Sequence, residues 1–426
     1  MATKRRSATH SVADLGLAPF GVRRIEWAAR AMPVLEQVRT RFEAERPFDG
    51  VRIAACMHVT AETAHLVRTL AAGGADVALC AANPLSTQDD TAAALVREYG
   101  ISVHAAAGVD RDGYYAHIDA ALDAKPDLVL DDGCDLTSTL HAHRPELLDR
   151  VRGGCEGTTT GVVRLRQMTR AGALRVPMLA VNDTRTKRMF DNRYGTGQST
   201  VDAIMRATNM LLAGRTVVVA GFGYCGRGVA ERARGLGAHV VVTEIDPIKA
   251  LDATMQGYPV EPMEVAAARG DVFVTVTGNR DVVTADHFAL MKDGAVLANS
   301  GHFDVEIDVR ALRELADDVV PAVRPHVDEY VLRDGRRLLL ISEGRLANLG
   351  AAEGHPASVM DLSFAGQALA TAWLAANADT LDPGVHDVPE DIGRDVAALA
   401  LEALGVRIDA LTTEQRRYLG SWEHGS

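Results

Sequence analysis

The sequence predicts an α/β protein with two Rossmann-like, doubly wound parallel sheets, and three observations support this fold class. Short β-like apolar runs alternate with helical patterns from about residue 51, which favours parallel strands covered by helices. The alternation starts again at about residue 195 and indicates a second α/β unit. In that second unit a strand-like run leads into a glycine-rich turn, as nucleotide-binding sheets often have.

Each element is predicted from hydrophobic spacing. The chain is expected to begin with a helix over 22–46, because its apolar residues recur at helical intervals. The rest of the first unit is predicted as strands at 51–56, 75–80 and 127–130, with helices at 61–72 and 89–99. The second unit is predicted as a helix at 199–213 and strands at 215–220, 238–243, 271–276, 295–299 and 338–342. After about residue 353 the pattern is helical through about 375, and a polar segment follows.

Composition excludes several classes of function. The formal net charge of -12 argues against a nucleic-acid partner, which needs a basic face. No apolar segment follows Lys4-Arg5-Arg6, so we expect neither a secretory signal nor a membrane anchor. A cytoplasmic location is therefore expected. The five cysteines lack the paired spacing of metal sites, so we expect reduced thiols and no metal.

The glycine-rich turn indicates a dinucleotide site. Gly221 permits a tight turn, Gly223 lets backbone approach a pyrophosphate, and Gly226 allows close packing of helix on strand. Glu244 ends the next strand-like run, where an acid binds the ribose hydroxyls and repels a 2′-phosphate. The turn therefore favours NAD over NADP; the alternative is a plain glycine turn.

Polar residues concentrate where four strands are expected to end, in CMHVTAET, NPLSTQDD, LDDGCDLT and VNDTRTKRMFDNRYG. Ligands bind beyond the carboxyl ends of parallel strands, so these segments are expected to meet in one crevice. Singly, each has a plain alternative: His58 as a core histidine, Asp132 as a turn residue, and Lys187 with Asp191 as a surface helix pair.

Residues 153–162, GGCEGTTTGV, give conflicting signals. Three consecutive threonines favour a strand, while the flanking glycines disfavour one. Three adjacent hydroxyls suit the binding of a polar ligand.

Seven segments together resemble the S-adenosylhomocysteine hydrolase family in sequence and in order: NPLSTQDD, LDDGCDLT, TTTGV, VNDTRTKRMFDNRYGTGQST, TEIDPIKAL, GHFDVEIDV and EGRLANLGAAEGHP. The resemblance runs from about residue 20 to the end. It implies a substrate domain in two pieces (1–193 and 353–403), an inserted NAD-binding Rossmann domain (194–352) and a C-terminal tail (404–426). It also implies bound NAD, an adenine nucleoside as substrate and a homotetramer. The tail ends at SWEHGS without the longer segment of many relatives, so cofactor retention is expected to be looser or to use other contacts.

The resemblance implies a reaction without net redox change. Hydride leaves C3′ of the nucleoside for bound NAD⁺, and the resulting ketone makes the C4′ proton acidic. A base removes that proton, and the substituent on C5′ departs by β-elimination. Water then adds across the 4′,5′ double bond in the hydrolases, and the ketone is reduced again.

The resemblance assigns five catalytic residues. Lys187 and Asp191 assist oxidation at the 3′-hydroxyl, with the pKa of Lys187 expected to be lowered beside the nicotinamide. Asp132 removes the C4′ proton. His58 and His302 handle the proton of the departing group or of water at C5′.

The resemblance also assigns the binding residues. Thr60 and Glu62 match the adenine contacts, and His355 closes over the base. The position that usually contacts the ribose hydroxyls is Gly157. The residues that match NAD contacts are Thr158, Thr159, Thr160, Asn192, Gly221, Gly223, Gly226, Glu244, Lys249, Thr277 and Asn348.

Gly157 is a departure from the family pattern. Relatives usually carry two acids before the threonines, whereas here Glu156 matches the first and Gly157 replaces the second. The change removes charge-assisted hydrogen bonds to the sugar, worth about 1.5–3 kcal/mol each, and is expected to open a space the size of a side chain. A water could fill that space. Alternatively, a sugar with an additional substituent near C1′ or C2′ could occupy it.

Three functions follow from these alternatives. The departure at Gly157 favours a nucleoside 4′,5′-dehydratase acting on a modified sugar, like the specialised branch of the family in angustmycin (nucleoside antibiotic) biosynthesis. The alternative is an ordinary S-adenosyl-L-homocysteine hydrolase that yields adenosine and homocysteine. The third is a non-catalytic homologue that binds a nucleoside or NAD.

Overall fold

The structure, a computed structural model, describes residues 9–423 of the 426-residue chain. Residues 1–8, with the Lys4-Arg5-Arg6 start, and 424–426 lie outside the described residues. Within 9–423, none of the helices combines the length and the apolar character that crossing a bilayer requires.

The described strands are β1 (His10–Ser11), β2 (Arg52–Cys56), β3 (Asp76–Cys80), β4 (Ser102–His104), β5 (Leu128–Asp131), β6 (Gly153–Glu156), β7 (Pro177–Ala180), β8 (Thr216–Ala220), β9 (His239–Thr243), β10 (Val272–Thr275), β11 (Ala295–Asn299), β12 (Ala316–Arg324), β13 (Val327–Leu332), β14 (Arg337–Ile341) and β15 (Gly384–His386). The described α-helices are α1 (Ala18–Ala29), α2 (Pro33–Glu45), α3 (Ala61–Ala72), α4 (Asp89–Arg97), α5 (Arg111–Leu122), α6 (Asp135–His143), α7 (Thr159–Arg170), α8 (Thr196–Thr208), α9 (Tyr224–Gly235), α10 (Pro247–Met255), α11 (Met263–Ala267), α12 (Ala285–Leu290), α13 (Val309–Leu315), α14 (Ala347–Gly350), α15 (Ala357–Asn377), α16 (Glu390–Ala403) and α17 (Thr413–Leu419).

The first sheet is parallel and has eight strands in the order β1-β4-β3-β2-β5-β6-β7-β15. Alternate residues of each strand enter opposite apolar layers. In β2, Ile53 and Ala55 join one buried cluster, while Ala54 and Cys56 join the other. Burial on both faces explains why these strands read as continuous apolar runs.

The second sheet has seven strands in the order β12-β13-β14-β11-β10-β8-β9. From β14 to β9 the pairs are parallel, which confirms the predicted α/β class. At one edge β12 and β13 pair antiparallel, an addition that the sequence analysis missed. The long, largely exposed β12 carries acidic residues and Pro321, so it lacks the apolar alternation of a half-buried strand.

The order of the strands along the chain shows how the two sheets are connected. Strands of the first sheet come from residues 10–180 and 384–386, whereas those of the second lie within 216–341. This path accommodates the predicted insertion of one unit into the other. The precise domain bounds stay a prediction.

The predicted single helix over 22–46 is wrong, because the structure has two helices, α1 and α2, with a break before Pro33. Proline has no N–H to continue a helix, and it disfavours helical geometry in the residue before it. The first free N–H groups of α2, on Val34 and Leu35, donate to the buried carboxylate of Asp361 in α15 at 3.0 and 2.7 Å.

The conflicting stretch at 153–162 divides in two. Its first glycines form β6, where a Cβ on Gly154 would lie 2.4 Å from Val129, so only glycine packs there. Thr158 caps α7, accepting from the Gly161 N–H at 2.9 Å, and the next threonines begin the helix. The strand preference of the threonines is overridden by this capping.

Asp361→Ala is expected to lower the free energy of unfolding by about 2–4 kcal/mol, because it leaves two buried N–H groups without acceptors. The measurement is chemical unfolding, with Glu402→Ala in α16, an exposed position, as the control variant. A loss no larger than that of the control would contradict the anchoring role.

Candidate active site

One cavity of about 1220 Å³ lies where the carboxyl ends of strands from both sheets face each other. Every site residue predicted from the sequence lines it except Gly226, which lies behind the glycine turn. Loops after β2, β5 and β6 bring His58, Asp132 and Gly157, and the turn after β11 brings His302. Three of the four polar segments therefore converge as predicted. No residue of the fourth, NPLSTQDD, lines the cavity, and this segment is connected to it through Ser86, which contacts His58.

Lys187 and Asp191 form a buried ion pair on a π-helical segment, Lys187–Gly195. The Lys187 Nζ donates to Asp191 Oδ1 at 2.7 Å and to Asn192 Oδ1 at 3.0 Å. The wider turn of a π-helix lets one lysine reach both residues. The surface-pair alternative is wrong, because the two side chains are only 16% and 2% exposed.

Two residues outside the segment complete the environment of Asp191. Ser363 Oγ in α15 donates to Asp191 Oδ2 at 2.8 Å, and His355 Nδ1 lies 3.4 Å from Oδ1. Burial alone would raise the pKa of Asp191, but the charge of Lys187 and the contacts of His355 lower it well below its usual value. Asp191 is therefore a stable carboxylate.

The pKa of Lys187 depends on its charged neighbours. Burial alone would lower it, but the charge of Asp191, their hydrogen bond and the charge of Asp132 raise it above the ordinary value. The lowering is predicted for a lysine beside bound nicotinamide, so it stays a prediction. From the protein's own residues alone, Lys187 is an ammonium group at neutral pH, and a bound positive nicotinamide would favour release of its proton.

Asp132 follows directly after β5, and its N–H donates to the Cys56 carbonyl at 3.0 Å. Burial raises the pKa of Asp132 to about 7, with Lys187 opposing the shift and Asp191 adding to it. A carboxyl group with this pKa can take up and release a proton near neutrality. Two carboxylates of one cavity thus have opposite shifts, the pattern that separates acid–base groups from charge partners.

His58 and His302 come from different sheets and meet with ring centroids 5.8 Å apart. His58 Nδ1 lies 2.8 Å from Ser86 Oγ, and His302 Nε2 is buried without a partner among the described residues. Burial lowers the pKa of His58 to about 3 and that of His302 to about 4. Both imidazoles are therefore neutral at physiological pH and can pass a proton without holding a charge.

The predicted base-binding residues lie at the start of α3. Thr60 caps this helix, accepting from the Thr63 N–H at 3.4 Å, and Glu62 lies in its first turn. Burial raises the pKa of Glu62. His355 faces them from the segment before α15, with Nε2 3.3 Å from Thr196 Oγ1.

The glycine turn after β8 has the geometry of a dinucleotide cradle. Gly221 has a φ of +102°, and a Cβ on Gly226 would lie 1.9 Å from the Gly221 carbonyl, so both positions require glycine. Around Gly223, at the start of α9, a Cβ would meet nothing within 4 Å. This open space above a helix N-terminus fits a pyrophosphate.

The other cofactor residues surround the same cradle. Glu244 accepts from the backbone N–H groups of Phe222 and Ile245 at 2.7 and 2.8 Å, which holds it at the rim. Asn348 Oδ1 is a buried acceptor without a partner among the described residues. Thr277 is held by Glu306, and Lys249 is a half-exposed partner of Asp246. These residues fit NAD.

The threonine loop connects the cofactor side to the catalytic side. Thr159 Oγ1 donates to Asn182 Oδ1 at 3.3 Å, and Asn192 Nδ2 donates to the same oxygen at 3.2 Å. Thr160 approaches the turn at Gly278 of the second sheet. Asn182 lies in one of the polar segments, but the sequence pattern indicates no role for it.

The expected free space beside Gly157 is not there. A Cβ built on Gly157 would lie 2.2 Å from Asp132 Oδ1, so the Asp132 carboxylate occupies the volume that a side chain would need. Gly157 thus lets Asp132 lie against the end of β6. The prediction of a side-chain-sized opening, which suggested a sugar with an additional substituent, is therefore wrong.

Sequence reasoning also missed Ser363 and Gln367, which lie one turn apart on the cavity face of α15. Gln367 is buried, and its Nε2 has no partner among residues 9–423. A usable signal exists, because both are polar residues in an otherwise apolar helical stretch.

Comparisons with known proteins match nearly the whole chain. A family model described as S-adenosyl-L-homocysteine hydrolase matches residues 9–146, and one described as its NAD binding domain matches residues 192–354. The chain is 59% identical over 415 residues to an adenosylhomocysteinase of Aquifex aeolicus, covering 97% of this chain and 99% of that protein.

Two further relatives have similar coverage. An adenosylhomocysteinase of Thermosynechococcus vestitus is 56% identical over 98% of this chain and 97% of its own length. A protein of Methanopyrus kandleri named S-inosyl-L-homocysteine hydrolase is 52% identical over 99% of both.

Gly223→Ala is expected to weaken NAD binding without disturbing the fold. Its φ of -71° suits alanine, but the new methyl group enters the cradle. NAD affinity should fall by at least about tenfold, or about 1.4 kcal/mol. The measurement is NAD titration followed by fluorescence. The matched control is Gly235→Ala at the other end of α9, where a Cβ also meets nothing within 4 Å; equal affinities of the two variants would refute the cradle.

Proposed function

Since this chain belongs to the S-adenosyl-L-homocysteine hydrolase family and binds NAD, we propose that it eliminates the 5′ substituent of an adenine nucleoside through a transient 3′ ketone. The observation that carries this proposal is the arrangement of Asp132. A carboxyl group with a pKa of about 7 faces a buried lysine–aspartate pair across the cavity that contains the dinucleotide cradle. Bound NAD supplies the acceptor, and later the donor, of the C3′ hydride.

Oxidation at C3′ is assigned to the buried pair. As hydride leaves C3′, the 3′-hydroxyl proton passes to Lys187 in its amine form, which the positive charge of bound NAD⁺ favours. Asp191 holds the lysine in place. Asn192 shares the lysine and is itself held by Asn182, which ties the pair to the threonine loop. These contacts support a preorganised site rather than a mobile side chain.

Elimination is assigned to Asp132 and the histidines. Asp132 accepts the C4′ proton once the neighbouring carbon is a ketone. The electron pair of the broken C4′–H bond then forms the 4′,5′ double bond as the C5′ substituent leaves. His58 or His302, both neutral, relays a proton to the departing C5′ substituent by accepting one from water on one ring nitrogen as it donates one from the other. Which imidazole donates depends on the tautomers of the two rings.

The first candidate substrate is S-adenosyl-L-homocysteine, hydrolysed to adenosine and homocysteine. The names and high identity of the relatives favour it. The carboxyl group of Glu62, at the base-binding end, can accept a hydrogen bond from the exocyclic amine of adenine.

The second candidate is 4′,5′-dehydration of an adenine nucleoside whose sugar carries an additional substituent. One observation supports it, the glycine at position 157 where the family pattern has a sugar-binding acid. Its strength is reduced because Asp132 already occupies the adjoining volume. The first candidate therefore has the better support. A homotetramer and a cytoplasmic location remain proposals from the family resemblance, and sedimentation tests the former.

One experiment separates these candidates. NAD-loaded protein is incubated with S-adenosyl-L-homocysteine, with adenosine, and with adenosine bearing a C1′ hydroxymethyl group, and products are followed by thiol release and mass spectrometry. Homocysteine release supports the first candidate, and loss of one water from the modified nucleoside supports the second. Neither product, and no transient bound NADH, would leave only the non-catalytic homologue. Asp132→Asn is the inactive control.

The rate of C4′ proton exchange is expected to rise with pH through about 7, because Asp132 acts as a base only when deprotonated. The measurement is washout of C4′ deuterium into solvent across about two pH units on either side of neutrality. Asp132→Asn should abolish the washout throughout the range. A flat profile in the wild type would show that a group with a lower pKa removes the proton.

A further inference from the structure

The peptide of Gly133, the residue after Asp132, is held from both sides. Glu156 Oε1 accepts from the Gly133 N–H at 3.0 Å, and an Arg164 Nη1–H donates to the Gly133 carbonyl. Gly133 therefore has both backbone polar groups bound by side chains rather than by strands. Neither Glu156 nor Arg164 belongs to the catalytic or binding residues described above.

Glu156 is itself fixed beneath the threonine loop. The same Oε1 accepts from the Thr158 N–H and Oγ1, each at 2.8 Å. The side chain is fully buried, and the helix α7 packs so closely on it that a Cβ on Gly161 would lie 2.0 Å from the carboxyl carbon. Glu156 thus joins the loop after β5 to the loop after β6.

Arg164 extends from α7 and is anchored at several points. Its Nη1 also donates to Asp135 Oδ1 at 2.6 Å, and its Nη2 donates to Ser138 Oγ at 3.2 Å. Its guanidinium carbon lies 5.4 Å from the ring centre of Phe303, the residue that follows His302. A planar guanidinium can make these contacts simultaneously, whereas a lysine ammonium cannot.

Gly133 also lies against His302, which is in the loop that follows β11 of the second sheet. Its φ is +117°, and a Cβ there would lie 2.2 Å from His302 Nε2. The His302 ring packs edge-on against Phe303 with centroids 4.7 Å apart. Arg164 therefore contacts the loop that carries Asp132 and the residue that supports His302.

We propose that Arg164 is a positioning residue that, together with Glu156, sets the loop after β5 and the seat of His302, so that proton removal at C4′ depends on it while oxidation at C3′ does not. The inference rests on the proposed function. The separation has a structural basis, because Lys187 and Asp191 are held by Asn192, Ser363 and His355, and none of these three has a hydrogen bond or ion pair with Arg164 or Gly133.

The test uses 5′-deoxyadenosine, which has a 3′-hydroxyl and a C4′ proton but no leaving group at C5′. With NAD-loaded enzyme, the absorbance of bound NADH measures oxidation. Washout of C4′ deuterium measures proton removal by Asp132. Both are followed for the wild type, Arg164→Met, Arg164→Lys and the control Arg170→Met, an exposed arginine of the same helix.

We expect Arg164→Met to slow deuterium washout by about 100-fold, the effect of an ångström-scale misplacement, with NADH formation within about threefold of wild type. Arg164→Lys should be intermediate, because it keeps the charge but loses the planar contacts, and Arg170→Met should match the wild type.

Two results would overturn the positioning role. One is parallel loss of NADH formation and washout, which a general loss of structure would cause; unfolding midpoints of both variants show whether this has occurred. The other is undiminished washout in Arg164→Met. Absence of NADH formation in the wild type would instead reject the proposed function, and this inference with it.

Discussion

The buried pair of Lys187 and Asp191 is the interaction on which the site depends. Two charges removed from water cost several kcal/mol each, and their attraction offsets this only when the remaining hydrogen-bonding groups are also satisfied. Asn192, Ser363 and His355 supply those contacts. Because Ser363 belongs to α15 of the first unit and the π-helical segment leads into α8 of the second, the pair forms at the crossover between the units.

The pair also determines how the other ionisable groups behave. Asp191 has the lysine as its partner and remains charged. The charge of Lys187 only partly opposes the effect of burial on Asp132, so the pKa of Asp132 is raised to about 7. Burial, together with nearby positively charged groups, lowers the pKa of His58 and His302, so both imidazoles are neutral at physiological pH. A single buried ammonium thus concentrates positive charge at one end of the cavity. Proton transfer is left to groups that change their charge easily.

Sequence patterns predicted the parts of this protein that follow from local rules. The glycine turn, Glu244 and the strands leading to them need only local spacing, and the helix over 61–72 was right to the residue. Pro33 by itself indicates a break in the helix, but the apolar residues at helical spacing on both sides of it favoured one continuous helix. Ser363 stands out locally only as a polar residue in an apolar helical stretch, and Arg164 has no local signal. The roles of both come from contacts with residues far away in the chain. The resemblance identified the family, yet it could not show how the side chains around Gly157 rearrange.

Gly133 and Gly157 lie on either side of Asp132, and both matter through the side chains they lack. A Cβ at the first would meet His302, and one at the second would meet the Asp132 carboxylate. Gly133 therefore makes room for His302, and Gly157 makes room for the base, so position 157 controls where the Asp132 carboxylate lies. A residue with a side chain at 157 requires the Asp132 carboxylate to move away from the end of β6, which changes the surroundings that set its pKa. The departure from the family pattern is thus best understood as a change in the environment of the base, and any change in substrate follows from that.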